Sequence, residues 1–461
     1  MTCTLVLTSA LERELYEVAL LPDETAGVLL ARVVAAPNGD IRLLGQEIVW
    51  APACAYLERR PYALAMASNA YVPALSIAEK RGCMAFWVHT HPGEFSAPVS
   101  SVHDDHVDEQ LADLFRLRAD ARYYGSLIVS PRGTSIAFSA ALFPEVGPKQ
   151  RIERMWIVGG SVRLISAFDG DDVAVPDIYD RNVRAFGAPI QAALGQLRVG
   201  VVGAGGTGSA VCEQLVRLGV RHLRVFDPDV LTASNITRVY GSTPADIGRP
   251  KVDVVRDHLQ KIAPDLDCVA FASSITFEMT AHELIPCDVI FGCTDDNAGR
   301  LVLSRFMTFM LTTVIDLGVL LSSDTSGTLI GIDGRITVLT PGAACLICRN
   351  RIDLRRAAAE MHTPEERLRL ADEGYAPALG RVEPAVVAFT TAVAAAAVAE
   401  LLERMIGYGP QPRPSEVLLR WHEREMSTNI VLPREGHYCH LGSGKVGLGD
   451  TVPFLEQTWT G

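Results

Sequence analysis

Leu197–Asp229 reads LRVGVVGAGGTGSAVCEQLVRLGVRHLRVFDPD. An apolar run, a glycine-rich turn, a segment of helical period and a second apolar run ending in aspartate spell strand, turn, helix, strand: one βαβ unit. Gly203, Gly205 and Gly208 follow the first strand and open the helix, so their backbone amides can receive phosphates. Asp227 lies 19 residues beyond Gly208, at the end of the second strand, where a carboxylate can hold ribose hydroxyls. Alone, this pattern fits NAD, FAD or ATP.

The residues that follow narrow the choice. DPDVLTASNITR supplies Asp229, Asn235 and Arg238, IGRPK ends in Lys251, and FGCTDDNAGR places Asp295 five residues before Arg300. A hydride-transfer enzyme has no need for so many phosphate-directed charges. An adenylating enzyme does, because Arg and Lys neutralise phosphates and an Asp holds Mg2+. An isolated Arg or Lys is usually a solvated surface charge; the set in this order is not accounted for that way. Further on, Cys345-Leu346-Ile347-Cys348 is a C-x-x-C, redox-active or half of a zinc site. Two buried free thiols are the plainer alternative.

From Arg181 to Cys348, and more weakly to Gly407, the sequence resembles the ThiF/MoeB and ubiquitin-activating-enzyme family. The doubled Gly205-Gly206 and the Asn235-x-x-Arg238 spacing carry the resemblance. It implies a Rossmann-like adenylation domain in which Gly203, Gly205, Gly206, Gly208 and Asp229 contribute to the ATP site and Asp227 binds ribose. Asn235, Arg238 and Lys251 would contact phosphates, and Asp295 would support Mg2+ and adenylation. Arg181 and Arg184 match an Arg pair that reaches into a partner protomer's site, which implies a homodimer. Cys345, Cys348, Cys439 and a histidine, His437 or His440, would form a structural zinc knuckle. No Cys occurs between Cys348 and Cys439, so no obligatory thioester on this chain is expected. Cys212 and Cys293 sit in elements expected to be buried, a poor setting for a thiolate.

The other half carries a second motif, HTHPGEFSAPVSSVHDDH at 89–106. It follows CMAFWVHTH, an expected buried strand, and period-two alternation puts His89 and His91 on one face. Ser101 and Asp104 are three apart at the start of an expected helix, so Asp104 can return to the histidines. Two imidazoles and a carboxylate leave one position of a tetrahedral zinc open. Such a zinc lowers the pKa of water toward ~7. Glu24, opening the apolar strand TAGVLLARVVAA, is the candidate proton acceptor. A solvated loop with incidental histidines would explain His-x-His alone, but not the whole set.

Over Leu5 to Ser139 this pattern resembles the JAB/MPN/JAMM metalloprotease family: a Glu on an early strand, His-x-His-Pro, then Ser-x-x-Asp. The resemblance implies a cytidine-deaminase-like α/β domain, a catalytic zinc on His89, His91 and Asp104, Glu24 as general base, and Ser101 steadying the oxyanion. Eight residues separate Pro92 from Ser101, so Ser100 and Asp105 stay open as alternatives.

Length and charge agree with two domains. The chain has 461 residues, too many for one ordinary core, and a net charge of −12 with scattered Lys and Arg. That argues against a general nucleic-acid binder. No signal peptide is read at the N-terminus, and the longest uncharged stretch, Pro384–Ala399, is too short to span a bilayer and reads as a buried helix. Ten scattered Cys indicate a reducing, cytoplasmic compartment. The expectation is therefore an α/β chain with a metallopeptidase at 1–172 and an adenylyltransferase at 173–461. It would act on a ubiquitin-like protein, beside a conjugating enzyme. The alternatives are a sulfur-carrier partner, with thiocarboxylate formation, and a non-catalytic scaffold.

Overall fold

The computed structural model describes residues 2–95, 97–167, 175–326, 328–362, 366, 369 and 385–459. The chain separates into two compact units, Met1–Asp172 with Gly447–Asp450, and Val173–Val446 with Thr451–Gly461. The boundary expected between 172 and 173, and residues 363–365, 367–368 and 370–384 of the thiol-free segment, lie outside the described residues.

The first unit runs β1 (Cys3–Thr8), α1 (Ser9–Ala19), β2 (Ala26–Ala35), β3 (Ile41–Trp50), β4 (Tyr56–Arg60), β5 (Ala63–Met66), α2 (Val72–Arg81), β6 (Met84–Thr90), α3 (Val102–Ala119), β7 (Tyr123–Arg132), β8 (Ser135–Pro144), β9 (Gln150–Ile152), β10 (Arg154–Val158) and β11 (Arg163–Ser166). Among the described residues nine strands form one mixed sheet, ordered β11-β10-β1-β3-β2-β6-β7-β8-β9, while β4 and β5 pair only with each other. Strand alternation sorts the two faces. Phe86 and Val88 of β6 share a core with Leu11 and Leu15 of α1. Ala85 and Trp87 share the other with Ala74 and Ala78 of α2 and Phe115 of α3. His89 continues the second series, so it faces the side that carries α3.

The second unit runs α4 (Asp180–Phe186), α5 (Ala188–Gln196), β12 (Arg198–Val202), α6 (Gly206–Leu218), β13 (His222–Phe226), α7 (Lys251–Ile262), β14 (Asp267–Phe271), α8 (Glu278–His282), β15 (Val289–Gly292), α9 (Asn297–Met310), β16 (Thr313–Ser323), β17 (Leu329–Leu339), α10 (Leu354–Glu360), α11 (Val387–Ile406), β18 (Glu416–Arg420) and β19 (Glu425–Asn429). Its sheet is ordered β14-β13-β12-β15-β16-β17-β18-β19. The first five strands are parallel and the rest antiparallel. The chain leaves β12 for β13 on one side and later returns to β15 on the other. Such a reversal opens a crevice at the carboxyl ends of the strands. The uncharged stretch forms most of α11, with Val393, Ala394, Ala397 and Leu401 buried. Among the described residues no helix is long and apolar enough to cross a membrane.

Candidate functional site

In the first unit the ladder between β2 and β6 sets the geometry. Ala26 is the register partner of His89, and beyond it the Thr90 amide donates to the Thr25 carbonyl. His89 and His91 are two apart on extended backbone and share a face, and Glu24, two residues before Ala26, is close enough to them for His89 and Asp104 to shift its carboxyl. Asp104 reaches the same place from α3. His89 Nε2 lies 3.3 Å from His91 Nε2 and 3.3 Å from Asp104 Oδ1, and His91 Nε2 lies 3.7 Å from Asp104 Oδ2. One ligand atom from each of the three lies within 4.8 Å of the others. Two imidazole nitrogens and one carboxylate oxygen so gathered fit a zinc ion with a position to spare.

Ser101 fixes the Asp104 approach. Its hydroxyl accepts from the Asp104 amide at 3.1 Å, and its own amide donates to Asp104 Oδ2 at 2.7 Å, a reciprocal cap on α3. Asp105, the open alternative, turns away: it accepts from Ser100 Oγ at 3.2 Å and from Lys149 Nζ at 3.1 Å. One turn along α3, buried Asp108 accepts from Tyr124 Oη at 2.6 Å and pins the helix to β7.

Electrostatics differentiate these groups. Burial pushes the Glu24 carboxyl up, the His89 charge pulls it down, and Asp104 pushes it up further; the net shift is upward. Burial opposes ionisation of Asp104, but the bonds and charge of His89 and Ser101 outweigh it and hold that carboxyl well below the usual carboxylate range. Burial, then the neighbouring His89, lowers His91 and favours its neutral, ligating form.

In the second unit a cavity of about 1350 Å3 opens at the β12–β15 reversal. Its floor is the glycine turn, and each glycine there has a distinct reason. Gly203 has φ +96°, and a Cβ on it would stand 2.6 Å from the Cys293 carbonyl oxygen. A Cβ on Gly208 would lie 1.8 Å from the Gly203 carbonyl oxygen, so the helix could not sit against the turn. A Cβ on Gly206 would press on Thr390 of α11 and on Arg238, at 3.1 and 3.2 Å. Gly205, the N-cap of α6, faces open space. It is there that a ligand can approach the backbone and the helix N-terminus.

The charged walls are of two kinds. Some groups are already engaged. Asp227 is buried, with Oδ2 accepting from the Ala204 amide at 2.7 Å and Oδ1 from the Asp229 amide at 2.9 Å. Burial raises its carboxyl despite Lys251 and those amides. Lys251 Nζ donates to Asp229 Oδ2 at 2.6 Å and lies 3.7 Å from Asp227 Oδ1. Asn235 Oδ1 accepts from the Thr232 amide and hydroxyl. Others are uncommitted. Arg238 lines the cavity and donates only to the Ser234 carbonyl, at 2.8 Å, with no carboxylate partner among the described residues. Exposed Asp295 lines it too, with no hydrogen bond or ion pair among them. Arg181 and Arg184 lie on exposed faces of α4, outside the cavity lining, and Arg184 pairs with Asp180 on its own helix.

The sequence reading missed part of this wall. Asp316 of β16 is fully buried, 2.6 Å from Arg335 Nη2 and 3.4 Å from Arg300 Nε. Both arginines line the cavity. A lone Asp within the apolar run TVIDLGVLL was the available signal. Glu360 of α10 was missed as well; it accepts from the Asn297 and Ala298 amides and caps α9 beside Asp295.

Away from the cavity, Cys345, Cys348, His437 and Cys439 bring one donor each within 4.8 Å. His437 Nδ1 lies 3.2 Å from Cys439 Sγ and 3.7 Å from Cys345 Sγ, and Cys348 Sγ lies 3.7 Å from Cys439 Sγ. Three sulfurs and an imidazole fit a closed tetrahedral zinc site. A hydrogen bond from Cys439 lowers the Cys345 thiol and raises Cys439 in return. His440 instead accepts from the Gly442 amide and caps a turn. Burial pushes Cys212 and Cys293 well up.

Against known proteins, the ThiF family model matches residues 179–440, more than half of the chain. The chain belongs to the ThiF family. It is 30% identical over 178 residues to the molybdopterin-synthase adenylyltransferase of Escherichia coli (strain K12), covering 38% of this chain and 68% of that protein. To tRNA threonylcarbamoyladenosine dehydratase 1 of Saccharomyces cerevisiae it is 29% identical over 182 residues, 38% of this chain and 42% of that one. To the ATP-dependent ubiquitin transferase-like protein Cap2 of Enterobacter hormaechei it is 32% identical over 111 residues, 24% of this chain and 18% of that one. The chain thus spans about two thirds of the first relative and less than half of the other two. All three similarities are shorter than the ThiF match itself.

Proposed function

We propose that the second unit adenylates the C-terminal carboxylate of a small ubiquitin-like protein. The observation that carries this is the crevice itself: an open Gly205 at a helix N-terminus faces an uncommitted Arg238 and an uncommitted Asp295. A carboxylate oxygen attacks the α-phosphorus of ATP, the bond to the β-phosphate breaks, and pyrophosphate leaves as the acyl-adenylate forms. Gly205 and Arg238 receive phosphate charge that grows at the transition state. Lys251 joins them by giving up Asp229, and Asp227 and Asn235 bound the nucleoside side. Mg2+, when bound at Asp295, would supply further neutralisation. The names of the relatives, an adenylyltransferase and a ubiquitin transferase-like protein among them, support this reading. Arg181 and Arg184, exposed on α4, suit a homodimer in which they serve the other protomer's crevice. The four-donor cluster would hold a structural zinc. The thiols of the described residues that lie near the crevice are raised by burial, which favours transfer of the acyl group to an external thiol, on a conjugating enzyme or a sulfur donor. Pyrophosphate exchange into ATP, dependent on a Gly-terminated ubiquitin-like protein and lost in Asp295→Ala, tests the reading.

For the first unit we propose a JAMM-type peptidase cutting at the same C-terminus. Zinc, when bound to His89, His91 and Asp104, would supply Lewis acidity. Glu24, whose burial makes it a stronger base than an exposed Glu, takes the proton of the attacking water and returns it to the leaving amine. The Ser101 hydroxyl accepts from the Asp104 amide and keeps its own proton to donate toward the developing oxyanion. Release of a C-terminal extension by the wild-type chain and not by Glu24→Gln tests this half. A sulfur-carrier protein as the partner is the second reading, favoured by the molybdopterin-synthase relative.

A further inference from the structure

Among the described residues the hairpin β4–β5 joins no other strand, yet it grips one short segment of β2 and its approach from three directions. Arg59 Nε donates to the Glu24 carbonyl at 3.0 Å and Arg59 Nη2 to Thr25 Oγ1 at 2.6 Å. The Glu24 amide donates to the Arg60 carbonyl at 3.2 Å. Tyr56 Oη accepts from the Ala26 amide at 3.2 Å and lies 3.4 Å from the Ala26 carbonyl oxygen, while the Arg59 guanidinium stacks 4.7 Å over the Tyr56 ring. On the opposite side the Thr25 amide donates to Thr90 Oγ1 at 3.0 Å. Residues 24–26 are therefore held between β6, which carries His89 and leads into His91, and a hairpin whose Leu64 and Met66 pack on the core.

We propose that Arg59, with Tyr56, is a positioning residue for Glu24: the hairpin fixes the backbone from which the proton-accepting carboxylate projects toward the His89–His91–Asp104 cluster. This rests on the peptidase reading of that cluster. The physical reason is leverage. Glu24 precedes β2 and lies outside its ladder, and a flexible backbone there would spread its carboxylate over several ångströms. A misplacement of about 1 Å at a reacting group costs up to ~100-fold in rate. Arg59 reaches two successive residues through two nitrogens of one rigid plane, which an ammonium cannot reproduce.

The test uses the full zinc-loaded chain as wild type, Arg59→Ala, Arg59→Lys and Tyr56→Phe. The substrate is a ubiquitin-like protein bearing an aminocoumarin amide on its terminal glycine. Arg59→Ala should lower kcat by about 10- to 100-fold with KM within about twofold and zinc content unchanged, since the ligands lie elsewhere. Arg59→Lys should recover only part of the loss, and Tyr56→Phe should fall between wild type and Arg59→Ala. Independently of activity, amide exchange of a peptide covering 24–26 should quicken in Arg59→Ala while a peptide covering 85–90 stays as in wild type. Unchanged exchange at 24–26, or unchanged kcat, overturns the clamp. A loss of zinc together with kcat overturns it too, because the hairpin would then be shaping the ligand set. A wild-type chain that holds zinc but cleaves nothing overturns the peptidase reading instead, and the exchange comparison then decides the clamp alone.

Discussion

The two candidate sites are built on opposite principles. In the first unit three side chains, from β6, the residue just after it and α3, converge on a point, with one ligand atom of each within 4.8 Å of the others. In the second, the floor is backbone, stripped of side chains by Gly203, Gly205 and Gly206, and the charges stand back around a cavity of about 1350 Å3. A site for one small ion needs convergent donors and tolerates no error in their spacing. A site for a large polyanion and a protein tail needs room, exposed amides and unpaired charges. Substitutions should therefore fail differently in the two regions.

The largest separation should come from Glu24→Gln. It removes the proton acceptor and leaves every donor of the cluster, so cleavage should fall by ~10²–10⁴-fold with zinc retained and pyrophosphate exchange unaltered. Assay of both activities on one preparation checks it; parallel loss of exchange would mean that the two regions are not independent. Next, Arg238→Ala should reduce exchange by about 10²–10³-fold while cleavage stays at the wild-type rate. Circular dichroism melting would show whether the fold survives.

The glycines sharpen the contrast within the crevice. Gly208→Ala drives a Cβ into a carbonyl oxygen and should cost about 3 kcal/mol of stability by overpacking. Gly205→Ala faces open space at an ordinary φ of −73°. It should change stability by no more than about 0.5 kcal/mol, yet weaken ATP binding by crowding the phosphate approach. Equal melting temperatures for the two variants would refute the assignment of their roles.

The smallest effect is in pH. Burial raises the Glu24 carboxyl in the metal-free site, so kcat for cleavage should decline as pH falls and Glu24 takes up its proton. Asp104, held low, stays ionised across that window, so zinc should remain bound while activity drops. A decline that tracks zinc loss would assign the limb to the ligands.

How much of this was legible in the sequence follows from the same contrast. The crevice announces itself because strand, glycine turn and helix are contiguous, and the positive φ of Gly203 and the close approach of Gly208 to the Gly203 carbonyl are local steric facts. The β-period that aligned His89 with His91, and the helix start at Ser101, were equally local. What escaped notice is non-local or weakly patterned. Strand β3 mixes Arg42, Gln46 and Glu47 into an apolar run, and β4 reads YLERR, a charged surface segment by any periodic criterion. Only the fold shows that Arg59 touches Glu24 and Thr25. The choices between Asp104 and Asp105, and between His437 and His440, turned on side-chain direction: the partners of Asp105 and His440 lie on Lys149 and Gly442, which spacing alone does not reveal. Asp316 looked like an interruption in a strand until Arg300 and Arg335 closed around it.

The most direct test of the central claim, two separate chemistries on one C-terminal tail, uses a single ubiquitin-like protein in two forms, one ending in glycine and one extended beyond it. Pyrophosphate exchange is measured with the wild-type chain and with Glu24→Gln. The account predicts exchange with the glycine-ending form in both chains, and with the extended form in the wild type alone, because only cleavage exposes the carboxylate that the crevice can adenylate. Exchange of the extended form by Glu24→Gln, or no exchange by either chain with either form, would contradict it.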